Sequence, residues 1–64
     1  MNVAERRGEI KKILLANETA ISAAKLAEKL KVSRQIIVGD IALMRAEGME
    51  IKSTPRGYIL THKT

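Results

Sequence analysis

The sequence contains no cysteine, no phenylalanine and no tryptophan, and it has a single tyrosine and a single histidine. Without cysteine there can be no disulfide framework, no cysteine-rich zinc site and no thiol nucleophile, and His62 alone cannot supply a zinc site. One aromatic residue, Tyr58, is too little for a base-stacking platform that binds single strands. No apolar run approaches the roughly 20 residues of a membrane span, and no secretory signal is present. We therefore expect a cytoplasmic protein with no membrane association.

The chain is also short and basic, with 64 residues and a formal net charge of +5. A chain of this length buries only roughly 60% of the surface that its unfolded form exposes, which leaves room for one small domain and no buried catalytic cleft. The sequence has no convergent pair of acids, no Ser/His/Asp set beyond chance and no glycine-rich phosphate loop. We expect no enzyme activity and no cofactor in this domain. The positive charge suits a polyanion or another protein as partner.

Three segments carry apolar residues at the spacing of one helix face, and they predict helices over about 5–16, 23–30 and 34–47. The second and third begin after Ser22 and Ser33, whose hydroxyls can accept a hydrogen bond from an unpaired N–H of the next turn. Only Lys31 and Val32 connect these two helices. So tight a turn requires them to cross steeply under the first helix, which is the helix-turn-helix arrangement.

The end of the chain changes to strand-like patterning. Runs rich in strand formers flank a Thr-Pro-Arg-Gly segment and predict a hairpin over about 49–61. Pro55 presets the turn and Gly57 supplies the position that needs a positive φ. Because an isolated hairpin is only marginally stable, Ile51 and Tyr58 are expected to pack against the helices.

Three helices followed by a hairpin predict a winged helix-turn-helix over 1–64, an α+β domain that is mostly α. In that geometry the third helix enters the major groove of DNA, about 12 Å wide, and the hairpin forms a wing that reaches the neighbouring backbone or minor groove. Within the third helix, Ile37, Ile41 and Met44 are expected to face inward. The positive charge is spread over all the elements, so specificity must come from individual contacts.

The residues from Ala23 to Leu60 carry a more specific pattern: Leu-Ala-Glu-Lys-Leu-Lys-Val-Ser-Arg-Gln, then Asp-Ile in the third helix, Gly48, and Pro-Arg-Gly-Tyr in the wing. This closely resembles the N-terminal DNA-binding domain of bacterial metabolite-responsive repressors, the group of the biotin repressor, and most of all the niacin-responsive repressors of NAD biosynthesis. The Leu-Ala to Val-Ser part by itself identifies only the helix-turn-helix superfamily. The added Arg-Gly-Tyr wing makes the match more specific.

The resemblance implies that the chain is the N-terminal fragment of a longer repressor. In this family a larger C-terminal domain binds the small molecule and forms the homodimer, so the fragment alone is expected to be monomeric and to bind DNA weakly. The expected function is sequence-specific binding to a palindromic operator in double-stranded DNA, for repression that responds to a small molecule such as niacin.

We expect the contacts with DNA to come from the outward face of the third helix and from the wing, through Ser33, Arg34, Gln35, Ile36, Val38, Gly39, Ala42 and Arg56. Gln35 can pair bidentately with adenine, and Ile36 or Val38 can pack on a thymine methyl group. Gly39 and Ala42 would let the backbone approach the groove. Gly39 departs from the resembling family, which usually has an arginine or another polar residue there, and a glycine inside a helix costs about 1 kcal/mol relative to alanine.

Simpler interpretations compete with several of these roles. Ser33 serves equally as a helix cap, Arg34 as a surface ion pair, and Arg56 as a solvated turn residue. Asp40 would repel DNA if it were exposed, so it is expected to pair with Arg34 or a neighbouring lysine.

The basic residues of the first helix, Arg6, Arg7, Lys11 and Lys12, are interpreted as ordinary solvated charges. The apolar residues Ile36, Val38 and Leu43 support an alternative function, a winged-helix module that binds another protein.

Overall fold

The computed structural model describes residues 2–61 of the chain. Three helices are followed by a two-stranded antiparallel sheet, which confirms the predicted winged helix-turn-helix. The elements are α1 (Val3–Ala16), α2 (Ala23–Leu30), α3 (Arg34–Ala46), β1 (Ile51–Thr54) and β2 (Gly57–Leu60). The inference about His62 concerns a residue outside the described range.

The first helix begins at Val3, two residues before the start predicted from its apolar spacing. The reason is a polar cap. The side chain of Asn2 accepts a hydrogen bond from the backbone N–H of Glu5 (2.8 Å), and the Glu5 carboxylate accepts one from the N–H of Asn2 (3.0 Å). This reciprocal pair is a capping box, which satisfies two N–H groups that the helix itself leaves unpaired. The apolar period alone could not reveal it.

Two serines start the second and third helices, and each caps as its sequence position predicts. The hydroxyl of Ser22 accepts from the N–H of Lys25 (3.1 Å), and that of Ser33 accepts from the N–H of Ile36 (3.2 Å). Between the two helices Lys31 takes the left-handed conformation, with φ of 57°. This residue reverses the chain and closes the short turn.

The third helix ends at Ala46, one residue before the predicted end, because Glu47 is its C-cap with a ψ of 0°. The N–H of Glu47 still bonds to the carbonyl of Leu43 (3.0 Å). Gly48 follows with φ of +106°, a conformation that glycine adopts at little cost just past a helix end.

The core lies where the three helices and the base of the hairpin meet. Its buried apolar side chains are Ile10, Leu14, Ala23, Leu26, Ala27, Ile37, Ile41, Met44, Ile51 and Leu60. The inward stripe predicted for α3 is thus buried. Ile51 and Leu60 face each other across the sheet and bury the base of the hairpin, while Tyr58 packs against the core from a partly buried position.

The hairpin is shorter than the predicted 49–61, because its strands pair only from Ile51 opposite Leu60 to Thr54 opposite Gly57. The segment before α2 adds a single isolated bridge to this sheet, between Ile21 and Tyr58. There the N–H of Ile21 donates to the carbonyl of Tyr58 (2.9 Å) and the N–H of Tyr58 donates to that of Ile21 (2.8 Å).

Gly57 is required at this crossing for two reasons. Its φ is +134°, as the predicted turn demands. In addition, a Cβ at this position would lie 2.4 Å from the backbone of Ile21. The segment before α2 therefore crosses the hairpin so closely that only glycine fits, which the sequence alone could not indicate.

Candidate nucleic-acid interface

The residues predicted to contact DNA are all exposed: Ser33, Arg34, Gln35, Ile36, Val38, Gly39, Ala42 and Arg56. Seven of them lie on or immediately before α3, and one lies at the turn of the hairpin. None is withdrawn into the core, so each is available for contact with a partner.

An open depression lies on the first turns of α3, lined by Arg34, Gln35 and Val38. These side chains are neighbours because residues three and four apart lie together on a helix surface. Val38 is 46% exposed and adds an apolar wall beside the amide of Gln35. An amide that both donates and accepts, next to an apolar contact, matches the edge that an A·T pair presents in the major groove.

Ile36 lies on the opposite flank of α3 from this depression, because it is two positions from both Arg34 and Val38 and residues two positions apart are separated by about 200° around a helix. It shares that flank with Leu43, and the two side chains are 40% and 51% exposed. Ile36 and Val38, the two residues expected to pack on a thymine methyl group, therefore lie on different flanks of α3. Val38 lies beside Gln35 and Ile36 does not.

Gly39 and Ala42 form a low strip on the outward face of α3. A Cβ built on Gly39 would meet no atom within 4 Å. The packing of the described residues therefore gives no steric reason for glycine at this position. The strip leaves the helix backbone open to close approach by a partner.

Arg56 lies at the exposed tip of the hairpin, after Pro55. The turn beneath it is closed by Thr54, whose hydroxyl donates to the carbonyl of Gly57 (2.8 Å) and accepts from the N–H of Arg56 (3.2 Å). The backbone that carries Arg56 is thus held in place while its side chain extends into solvent.

Asp40 is buried on the inward side of α3, 3% exposed, and it pairs with Arg6 of α1. The expectation of a structural pairing is confirmed, but the expected partner, Arg34 or a lysine, is wrong. Both carboxylate oxygens accept from the guanidinium, Oδ2 from Nε and Oδ1 from Nη2 at 3.0 Å. Since Asp40 is the one acid in α3, this pair leaves the outward face of the helix without negative charge.

Arg6 and Arg7 are not ordinary solvated charges, contrary to the interpretation from the sequence. The hydrogen bond to Asp40 raises the pKa of Arg6 above its ordinary value, an effect that partial burial opposes and the carboxylate's charge reinforces. Arg7 pairs with Glu47, just past the end of α3, with Nη1 3.0 Å from Oε2. Two adjacent arginines of α1 therefore pair with the middle and with the C-terminal end of α3.

A functional candidate that sequence reasoning missed is Arg45, in the last turn of α3. Its Nε donates to the carbonyl of Ile51 in β1 at 2.8 Å. Its guanidinium carbon lies 5.9 Å from the centre of the Tyr58 ring in β2. Arg45 lies seven residues, or about two helical turns, after Val38, so the two residues lie on one side of α3. This spacing was the signal by which the sequence could have indicated Arg45.

Two further properties concern residues 2–61 only. No helix in this range is long and apolar enough to cross a membrane. No three side chains of histidine, cysteine, aspartate or glutamate in it come together as a metal site would require. The expectation that the domain needs no cofactor stays a prediction.

A family model described as HTH domain matches residues 6–59. Over 56 residues, 88% of the chain, the sequence is 52% identical to the probable transcription repressor NiaR of Thermotoga maritima and 38% identical to the transcription repressor NadR of Bacillus subtilis. These matches cover 32% and 31% of the two relatives, so the chain spans about a third of their length.

Proposed function

The chain belongs to the HTH domain family, and from this membership we propose that it is the operator-binding domain of a bacterial transcription repressor, a regulator and not an enzyme. Both relatives are named as transcription repressors. The observation that carries the proposal is the outward face of α3. It is exposed, free of acidic side chains, and contains the depression lined by Arg34, Gln35 and Val38.

The proposal extends to the protein that contains this domain. It acts as a homodimer on a palindromic operator in the cytoplasm, where bacterial DNA lies, and it responds to a small molecule of the niacin type. The resemblance in the helix-turn-helix and Arg-Gly-Tyr segments supports this assignment. Two copies are needed because one copy makes few phosphate contacts, and the two-fold symmetry of a dimer matches two half-sites one helical turn apart.

Gln35 and Val38 are proposed to read one A·T-containing step of the operator. The amide of Gln35 can donate to N7 and accept from N6 of adenine in the bidentate geometry that this pair of side chain and base favours. Val38, in the same depression, covers the thymine methyl group. Arg56 extends from the wing into the adjacent minor groove, and Ser33 and Arg34 contact phosphates at the start of α3.

The decisive experiment is selection of duplexes from a pool with about 20 randomised base pairs, using the chain fused to a dimeric coiled coil. We expect a palindrome to emerge and to bind with an affinity that falls steeply with salt, by about 0.9 in log–log slope for each phosphate neutralised. Recovery of no sequence above the random pool at 100 mM salt overturns the proposal. The 64-residue chain alone should bind the selected duplex more weakly than 1 μM.

Replacing single thymines of the selected operator by uracil tests the role of Val38. Loss of the methyl group removes about 0.8 kcal/mol of apolar burial, or roughly fourfold in affinity. We expect this loss at one thymine per half-site with the natural chain and no loss at that position with Val38→Ala. Leu43→Ala, a matched apolar truncation on the other flank, should leave the effect of uracil unchanged.

A protein-binding module is a second candidate, since Ile36 and Leu43 expose apolar surface on the flank away from the depression. Gln35→Ala combined with Arg56→Ala separates the two functions. DNA binding collapses if these residues read the operator. Binding to a protein partner through Ile36 and Leu43 survives the same changes.

A further inference from the structure

Arg45, in the last turn of α3, contacts both strands of the wing. Its Nε bonds to the carbonyl of Ile51 at the start of β1, and its guanidinium lies over the ring of Tyr58 in β2. A planar guanidinium can donate in its plane and stack on a ring with its face, so both contacts can form together. A lysine in this place could make only one of them well.

Besides the apolar packing of its base, the wing has a polar attachment on its opposite side. Tyr58 forms the two-hydrogen-bond bridge with Ile21, immediately before the cap of α2. The ring of Tyr58 faces Arg45 while its backbone holds Ile21. Above its buried base, the hairpin therefore contacts the last turn of α3 on one side and the segment that precedes α2 on the other, and Tyr58 takes part in both contacts.

The contacts of Arg45 with the two strands restrict the movement of the turn that carries Arg56. The hydrogen bond from Arg45 to Ile51 lies at the base of the hairpin, whereas Tyr58 pairs with Ser53, one pair from the turn. A strand rises about 3.3 Å per residue, so the tip lies roughly 13–16 Å beyond Ile51 but only about two residues from Tyr58. A tilt of about 10° about Ile51 would move Arg56 by about 2 Å, enough to break a hydrogen bond, and the contact of Arg45 with Tyr58 near the turn opposes this tilt. The angle between wing and α3 decides whether Gln35 and Arg56 can reach one duplex together.

We infer that Arg45 is a positioning residue, which sets the orientation of the wing relative to α3 and acts on DNA recognition through Arg56. The predicted effect of Arg45 on affinity rests on the proposed DNA binding. Its predicted effect on the orientation of the wing is independent of that proposal. Arg45 has no need to touch the duplex in this role. Its charge is engaged by the carbonyl and the ring beside it.

A double-mutant cycle in the dimeric fusion tests the inference on the selected operator. Arg45→Met removes the guanidinium and keeps an unbranched stem, and Arg45→Lys keeps the charge. We expect either change to weaken binding about 5- to 10-fold when Arg56 is present and less than 2-fold in the Arg56→Ala background. Lys12→Met, which removes the same charge from the exposed surface of α1, should change affinity less than 2-fold in both backgrounds.

A direct phosphate contact gives the opposite pattern and overturns the inference. Arg45→Met would then weaken binding equally in both backgrounds, and Arg45→Lys would keep most of the affinity. Circular dichroism of each variant shows whether it is folded. Should Arg45→Met unfold, the Arg45→Lys cycle carries the same test.

The free protein provides a readout that needs no DNA. Tyr58 is the one tyrosine in a chain without tryptophan or phenylalanine, so its ring resonances and fluorescence are assigned without ambiguity. Residual dipolar couplings should show β1 and β2 reoriented relative to α3 in Arg45→Lys, with the Tyr58 ring signals shifted. Unchanged couplings overturn the inference. If no duplex is selected but the couplings change, the proposed function fails while the positioning role stands.

Discussion

The inward and outward faces of α3 are built on opposite principles, although they belong to one helix of 13 residues. The inward face buries Ile37, Ile41 and Met44 and places Asp40 against Arg6. The outward face exposes Gln35, the apolar wall of Val38, and a strip of glycine and alanine.

Stability and partner binding therefore depend on different residues of this small domain. Side chains on the inward face act through burial and pairing within the protein. Those on the outward face contribute little to folding and are available for a partner. Substitutions on the two faces should therefore produce different combinations of lost stability and lost affinity.

Ile37→Ala should have the largest effect, because Ile37 is fully buried. Truncating a buried isoleucine costs about 2–5 kcal/mol, and a domain of this size has only about 3–5 kcal/mol to lose. Thermal and urea unfolding followed by circular dichroism should show a largely unfolded chain, with DNA binding lost as a consequence. Ile37→Val, the matched control, should cost about 0.5–1.5 kcal/mol. A fully stable Ile37→Ala variant would refute the assignment of the inward face.

Gln35→Ala should lower affinity and leave folding intact. A bidentate contact is worth about 1–3 kcal/mol of discrimination, so binding to the selected operator should fall roughly 5- to 150-fold with preference for adenine lost at one position per half-site. The free energy of unfolding should change by less than about 0.5 kcal/mol, as for other exposed sites. Equal loss of affinity for all sequences would instead indicate a phosphate contact.

The two ion pairs between α1 and α3 should differ in strength according to burial. Arg7 and Glu47 are 26% and 63% exposed, and such a pair is worth about 0.2–1 kcal/mol. Arg6 and Asp40 are 14% and 4% exposed and share two hydrogen bonds, so their coupling should be larger. Double-mutant cycles with Arg→Met and acid→amide changes measure both couplings. A stronger coupling for Arg7 with Glu47 would contradict the role given to burial.

Gly39→Ala should have a small effect on stability, of the opposite sign. The added methyl group meets open space, so the domain should gain about 0.5–1 kcal/mol in stability. Gly8→Ala in α1, where the space is also open, is the matched control and should gain as much. If the duplex approaches the backbone at Gly39, only Gly39→Ala lowers affinity. Equal affinities for both variants would remove Gly39 from the interface.

Much of the fold could be predicted because its signals are local. The serine caps and the apolar stripe of α3 depend on residues within one or two turns, and the hairpin depends on its proline and glycine. The early start of α1 was missed because the prediction followed apolar spacing and not the polar cap of Asn2 and Glu5.

Periodicity and capping act over a few residues of one segment, so the amino-acid sequence was enough to predict the order of elements, the buried stripe of α3 and the residues of its outward face. Three contacts arise from the packing of distant segments: Asp40 pairs with Arg6, 34 residues away, the backbone of Ile21 crosses Gly57, and Arg45 contacts both strands of the wing. Such contacts depend on how distant segments cross. The crossing is set by the packing of the whole core and is not encoded in any one segment.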